Sequence, residues 1–340
     1  MFWQKRLIAE FEKQSFTQII FPHQKSDWKP YLQEAQECFV NIINAITKYQ
    51  KCLVVCDNTQ SFKSRFKENE NLYFVEYQTD DTWARDCSAL SVAYQDTIQL
   101  LDFTFNGWGG KFDAHKDNAL TQSLAKCYNG EIIRHDFVLE GGGIESNGAG
   151  TILTTSACLW NKNRNPDYSK DAITRSLKAF FGAEEILYLH HGYLAGDDTD
   201  SHIDTLARFI DEKTIMYVEC SDADDEHYRE LLAMKEELQN IAKKKGYTLI
   251  PLPMCSAVYY KGERLPATYA NFLFVNGAVL IPTYNIPEDT QALEIFHKSF
   301  PEREIVAVDC STLIRQHGSL HCVTMNFPEG VLLNTGKCFG

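Results

Sequence analysis

Residues 271–284 read NFLFVNGAVLIPTY: an apolar run from Phe272 to Val275, the pair Asn276-Gly277, then a second apolar run from Ala278 to Pro282. β-Branched and aromatic residues favour strands, and Asn-Gly supplies the positive backbone angles of a two-residue turn. The stretch therefore predicts a β-hairpin. Three other segments share this plan: CSALSVAYQDTIQLLDF (87–103), GGGIESNGAGTILTT (141–155) and TLARFIDEKTIMYVEC (205–220). Their turns hold Gln-Asp, Asn-Gly and Asp-Glu-Lys, all plausible hairpin chemistry. Helix-like stretches lie between them. In DEHYRELLAMKEELQNIAKKKG (225–246), Leu231, Leu232, Met234 and Leu238 fall near helical spacing, and Gly246 marks a stop.

The chemically interesting positions at these segments recur roughly every 50 to 70 residues, at Asp86, Gly142, Asp204, Asn271 and Cys322. That regularity predicts an α/β chain built of a repeated hairpin-plus-helix unit around a common centre. Polar residues at strand ends then converge from distant parts of the sequence. No Pro/Gly/Ser-rich linker divides residues 1–340, which read as one domain.

The 44% hydrophobic and 23% charged content is that of a water-soluble globular protein. The opening MFWQKRLIAEFEKQ mixes charge with apolar residues and does not read as a signal peptide, and no run is long enough to span a membrane. A cytoplasmic location is expected. The 11 cysteines are scattered with no Cys-x-x-Cys pair, so they read as reduced thiols, and CLVVC (52–56) reads as a buried strand. A net charge of -13 argues against nucleic-acid binding, which needs a basic surface, and suits a small cationic substrate. A homo-oligomer is left open.

Four places carry chemistry. In DDTWARDCS (80–88), Trp83 and Asp86 put an aromatic wall beside a carboxylate, which suits a planar cation. In FVLEGGGIESNGAG (137–150), the glycines after Glu140 imply a close backbone approach or a bend. In GDDTDSHIDTLARF (196–209), Asp198, Asp200, His202 and Asp204 alternate and would share one face of an extended strand. A calcium site is conceivable there, but the EF-hand pattern is missing. Finally, GSLHC (318–322) sets Cys322 beside His321. Neighbours in a strand point to opposite sides, so the proton carrier for Cys322 must come from elsewhere; His202 is the best candidate, and His321 reads as structural.

Together TWARD, LEGGG, DDTDSHID, ATYANFLFVNG and GSLHC resemble, in order and approximate spacing, the agmatine deiminases, in the bacterial peptidylarginine-deiminase-like branch of the guanidine-modifying (pentein) enzymes. FNGWGGKF (105–112) also looks like that family's aromatic-glycine segment. The resemblance implies a five-bladed α/β propeller of ββαβ-type units around a central channel. It implies Cys322 as nucleophile, His202 as general acid/base, and Asp86 and Asp204 as carboxylates clamping a guanidinium. Trp83 and Glu140 are implied to line the site, and Asp198 or Glu140 could meet a substrate's distal ammonium. Neither metal nor organic cofactor is implied. Ser201 and Ser319 stand where the family often has glycine, and VTMNFP after Cys322 differs from its more usual continuation.

The implied activity is hydrolysis of agmatine to N-carbamoylputrescine and ammonia. A deiminase of peptidyl or free arginine is the alternative within the same chemistry. A Cys-His amidase or peptidase would leave the aspartates unexplained, and a non-catalytic guanidine-binding module would leave Cys322 and His202 idle.

Overall fold

The computed structural model of the chain describes residues 5–334. All four hairpins form: Leu90–Tyr94 with Thr97–Thr104, Ile144–Ser146 with Thr151–Thr155, Ala207–Phe209 with Thr214–Glu219, and Leu273–Val275 with Ala278–Thr283, each antiparallel. In each case the chain then crosses through helical turns and returns as a third strand parallel to the second. These third strands are Glu131–Val138, Glu185–Leu189, Thr248–Pro253 and Glu304–Asp309. A parallel return needs such a crossover, and the helix supplies it.

A fifth sheet of the same kind joins the two ends of the described chain. Gln14–Ile20 pairs antiparallel with Thr324–Pro328 and parallel with Lys51–Cys56, which in turn pairs with Leu72–Glu76. No local turn signals this pairing, because its partners lie more than 300 residues apart. A small hairpin, Tyr259–Tyr260 with Glu263–Arg264, stands outside these sheets.

The helix Tyr228–Lys245 shows how the outer layer is fixed. Leu231, Met234 and Leu238 are buried, and Gly246 closes the helix in the left-handed region at φ 73° with its N–H on the Ala242 carbonyl. Leu232 falls beside that stripe and is 37% exposed, so the apolar face is narrower than the leucine pattern implied.

Among the described residues nine cysteines are free and buried; Cys127 is disulfide-bonded, so the expectation of reduced thiols throughout is corrected there. Cys52 and Cys56 lie in the expected buried strand. Among the described residues no helix is long and apolar enough to cross a membrane.

Candidate active site

The chemistry-bearing segments end their sheets at one place. The single helical turn Ala84–Cys87 carries Asp86, and the Arg85 N–H donates to the Cys322 carbonyl at 3.1 Å. That bond ties TWARD to GSLHC across more than 230 residues. The glycines permit the contacts. A Cβ on Gly318 would lie 2.1 Å from the Trp83 ring, and one on Gly141 would lie 2.3 Å from the Arg85 carbonyl oxygen. These close approaches, together with the one beside Gly142, are what the LEGGG and GSLHC glycines provide.

The segment 198–204 is not the extended strand expected from its alternation. Asp200 and Ser201 take φ 66° and 63°, and the Asp197 carboxylate caps the turn by accepting from Thr199 and Ser201 N–H groups. The four side chains therefore part. Asp200 pairs with Lys111 and Arg164, and Asp198 lines a cavity, while His202 and Asp204 turn inward. Ser201 in the left-handed region explains why glycine is common at its position; Ser319 instead bonds Tyr284 Oη at 2.9 Å.

Cys322, Asp86, Trp83 and Trp108 line a cavity of about 180 Å³ together with Asp27, Asp81 and Asp198; no lysine or arginine is in its lining. His202 and Asp204 stand immediately behind. Nδ1 of His202 is 3.7 Å from Asp86 Oδ1, and Asp204 Oδ2 is 3.8 Å from Cys322 Sγ. A Cβ on Gly142 would lie 2.7 Å from His202 Nδ1, 2.9 Å from Asp86 Oδ1 and 3.0 Å from Asp204 Oδ2, so three groups converge on the space that this glycine leaves empty.

Each group is held and tuned. Asp86 accepts from Trp108 Nε1 at 3.0 Å and from the Gly142 N–H at 2.9 Å. Burial, then Asp204 and Glu140, push its pKa up to about 6 against the pull of His202. Asp204 is also buried, yet its hydrogen bond with His321 at 2.7 Å and the charges of His321, His202 and Arg208 hold it below the usual carboxylate range. Its Oδ1 is buried with no hydrogen-bond partner. Burial works against charge on His202, but Asp86, Cys158 and Glu140 together hold its pKa well above the ordinary value. Burial, Asp204 and Asp86 push the Cys322 thiol far up.

Asn271 is the residue whose chemistry the sequence did not disclose. Its Oδ1 accepts from the His321 and Cys322 N–H groups at 2.8 and 3.3 Å and lies 3.4 Å from Cys322 Sγ, while its amide donates to the Asp204 carbonyl. Trp108 and His321 were likewise not assigned as partners of the aspartates. Glu140 does not line the cavity. Both its oxygens lie 2.9 Å from Arg164 Nε, and one is 3.9 Å from His202 Nε2. Glu140, Cys158 and His202 present ligand atoms within 4.8 Å of one another, the one such group among the described residues, but Arg164 already occupies the Glu140 carboxylate.

A substrate-bound agmatine deiminase of C. jejuni, with one cysteine changed to serine, superposes with a TM-score of 0.92 at 41% identity, covering 96% of this chain and 97% of that one. A Porphyromonas gingivalis structure provisionally named an arginine deiminase gives 0.93 at 44% identity, over 96% and 99%. A Mycoplasma capricolum protein provisionally named agmatine deiminase is 31% identical over 352 aligned positions, 96% of each chain. At 13% identity and a TM-score of 0.53, a dimethylarginine dimethylaminohydrolase shares the fold alone. Residues 6–328 match the Porphyromonas-type peptidyl-arginine deiminases. With that match and full-length relatives of this identity, the chain belongs to the Porphyromonas-type peptidyl-arginine deiminase family.

Proposed function

We propose that the chain hydrolyses agmatine to N-carbamoylputrescine and ammonia. The observation that carries this reading is the cavity: Asp27, Asp86 and Asp198, with Asp81, whose pKa is pushed up to about 8 by burial and its acidic neighbours, share its lining with Cys322, where the basic side chain is His317 and neither lysine nor arginine. Agmatine is a cation at both ends, whereas free arginine brings an α-carboxylate that calls for a basic partner. Names given to the C. jejuni and M. capricolum relatives support the same substrate.

The chemistry follows from the electrophile. A guanidinium carbon is poorly reactive because its charge is spread over three nitrogens. Asp86 and Asp204 hold the planar cation and set its carbon over the sulfur. With the cation bound, the Cys322 thiol gives up its proton to solvent, and the thiolate attacks to form a tetrahedral adduct. His202, protonated at neutral pH, donates its proton to the leaving nitrogen, and the C–N bond breaks to release ammonia. A covalent S-alkylthiouronium remains. His202, now neutral, takes a proton from water, whose hydroxyl adds to the carbon; the C–S bond breaks, the hydroxyl proton passes to the departing sulfur to restore the Cys322 thiol, and the ureido product leaves.

Glu140 acts in this scheme beside His202 rather than at the substrate, and Asp198 is the better candidate for the distal ammonium. The five sheets are read as blades around one channel, a reading supported by their shared strand order. The reaction belongs to small-molecule metabolism, which suits the cytoplasm. Supplying agmatine, arginine and a blocked arginyl peptide and measuring ammonia and ureido product tests the substrate. No turnover of agmatine sinks it; turnover of the peptide instead favours the activity in the family's name. Retained activity in Cys322→Ala sinks the mechanism.

A further inference from the structure

We infer that His321, beside the nucleophile in sequence but facing away from it, is a positioning residue that fixes and charges Asp204 through a chain running Glu10–His321–Asp204. This rests on the clamp role proposed above for Asp204.

The ring is buried, with Nδ1 2.7 Å from Asp204 Oδ2 and Nε2 2.5 Å from Glu10 Oε2. Its backbone is pinned as well, since its N–H donates to Asn271. Glu10 comes from the other end of the chain and is itself anchored. It meets Arg208 Nη2 at 3.0 Å and Arg85 Nη2 at 3.3 Å, and its second oxygen accepts from the Phe274 N–H at 2.9 Å. Arg208 is held in turn by Glu145 at 2.7 Å and the Phe272 carbonyl at 2.9 Å. Neither His321 nor Glu10 borders the cavity that contains Cys322; both border a second one, of about 70 Å³. They act on the substrate only through Asp204.

Two consequences follow for Asp204. The ring occupies Oδ2 and leaves the buried Oδ1 as the unpartnered acceptor. The ring also sits among charges: carboxylates Glu10, Asp204 and Glu145 face guanidiniums Arg85 and Arg208, and the ring bridges Glu10 to Asp204. A neutral imidazole donates from one nitrogen only, so both contacts are hydrogen bonds only when the ring is protonated. Burial, Arg208 and Arg85 outweigh Glu10 and the bond to Asp204 and hold the ring's pKa below the ordinary imidazole value, so the two short contacts, and not the ring's charge, are what fix Asp204.

Ligand affinity in a Cys322→Ala parent tests the inference, using agmatine as the guanidinium ligand and N-carbamoylputrescine as its neutral ureido counterpart. In His321→Gln the amide reaches toward the Glu10 side and leaves Asp204 unsupported. Agmatine affinity should fall about tenfold to a hundredfold, the worth of a hydrogen bond to a charged group, with ureido affinity changed less than about threefold. In His321→Asn the amide sits near the Nδ1 position, and most of the agmatine affinity should return. Parallel loss of both ligands, or an Asn variant no better than the Gln variant, overturns the inference. If His321 variants do not fold, Glu10→Gln decides: a selective loss of agmatine supports the chain, and an unchanged ratio of the two affinities overturns it. Failure of the parent itself to bind agmatine tells against the substrate reading instead, and arginine with citrulline then serve as the guanidinium and ureido pair.

Discussion

Gly142 and His202 stand so close that a single added methyl cannot fit between them: a Cβ on Gly142 would lie 2.7 Å from Nδ1 of the ring. The same point is 2.9 Å from Asp86 and 3.0 Å from Asp204. Contacts that short are not tolerated, so one of the three groups must move. Gly142 is not among the residues with positive φ, so alanine brings no backbone strain there. Gly142→Ala should therefore fold with a Tm lowered by a few degrees, as overpacking by one methyl costs about 1–3 kcal/mol, yet lose at least about a hundredfold in kcat/KM, the scale of a misplaced reacting group. Activity within a few-fold of the parent would mean that these groups do not surround the reacting centre.

The pH profile should report Asp86. Its pKa is raised to about 6, so it is charged above that pH and neutral below it. A guanidinium is clamped by the charged form, so kcat/KM should fall about tenfold per pH unit below about 6. Bound cation favours the carboxylate, so the matching limb in kcat should lie at lower pH. Asp198 is also raised to about 6, by burial and Asp197. An acid limb that persists in Asp198→Asn belongs to Asp86, and one that disappears there belongs to Asp198.

Asn271 links the nucleophile turn to the Asp204 loop, and two variants separate that scaffold role from its effect on the thiol. Asn271→Asp keeps an oxygen for the His321 and Cys322 N–H groups, which donate to Asn271 Oδ1 at 2.8 and 3.3 Å. It also places a third carboxylate about where Oδ1 now lies 3.4 Å from the sulfur. Thermal stability should be largely kept, while kcat falls by about tenfold or more because thiolate is further disfavoured. Asn271→Ala should lose both, since the Cys322 N–H is left without an acceptor, the His321 N–H keeps only the residue's backbone carbonyl at 3.2 Å, and the amide's bond to the Asp204 carbonyl is gone. Equal kcat for the Asp variant and the parent would rule out an electrostatic role.

The hairpins were legible because each is local. Asn276-Gly277 between apolar runs needs no distant partner to form its turn, and the Tyr228–Lys245 helix carries its own stop at Gly246. The pairing of Gln14–Ile20 with Thr324–Pro328 was not legible, since its energy comes from backbone bonds between the chain's two ends. The site divides the same way. Cys322, His202, Asp86 and Asp204 announced themselves by residue type and neighbouring motif. What Asn271, Arg164 and His321 do depends on which atoms meet across the fold; strand geometry set His321 aside as the partner of Cys322 but could not name the partner it has. Its nearness to Cys322 in sequence hides a contact to Asp204, more than a hundred positions away. Periodicity misled at Asp198 to Asp204, where a side-chain cap from Asp197 overrides the strand alternation.

The last prediction concerns how Cys322 becomes a nucleophile. In the empty site its pKa is pushed far up by burial, Asp204 and Asp86, so the resting sulfur is a thiol. The two aspartates that disfavour a thiolate are the ones proposed to hold the substrate's positive charge. A bound guanidinium offsets them and should lower the thiol pKa, so the cation helps to generate the group that attacks it. Thiolate absorbance in the ultraviolet, titrated with and without a non-reactive alkylguanidine and with Cys322→Ser as blank, measures this directly. The midpoint should drop by at least about one pH unit when the ligand is bound, as expected for an opposite charge brought within a few ångströms. Asp204→Asn should lower the midpoint of the empty enzyme and shrink the ligand's effect, because part of the repulsion is already gone. Equal midpoints with and without ligand would show that thiolate forms by another route, with His202 as the first proton acceptor to examine.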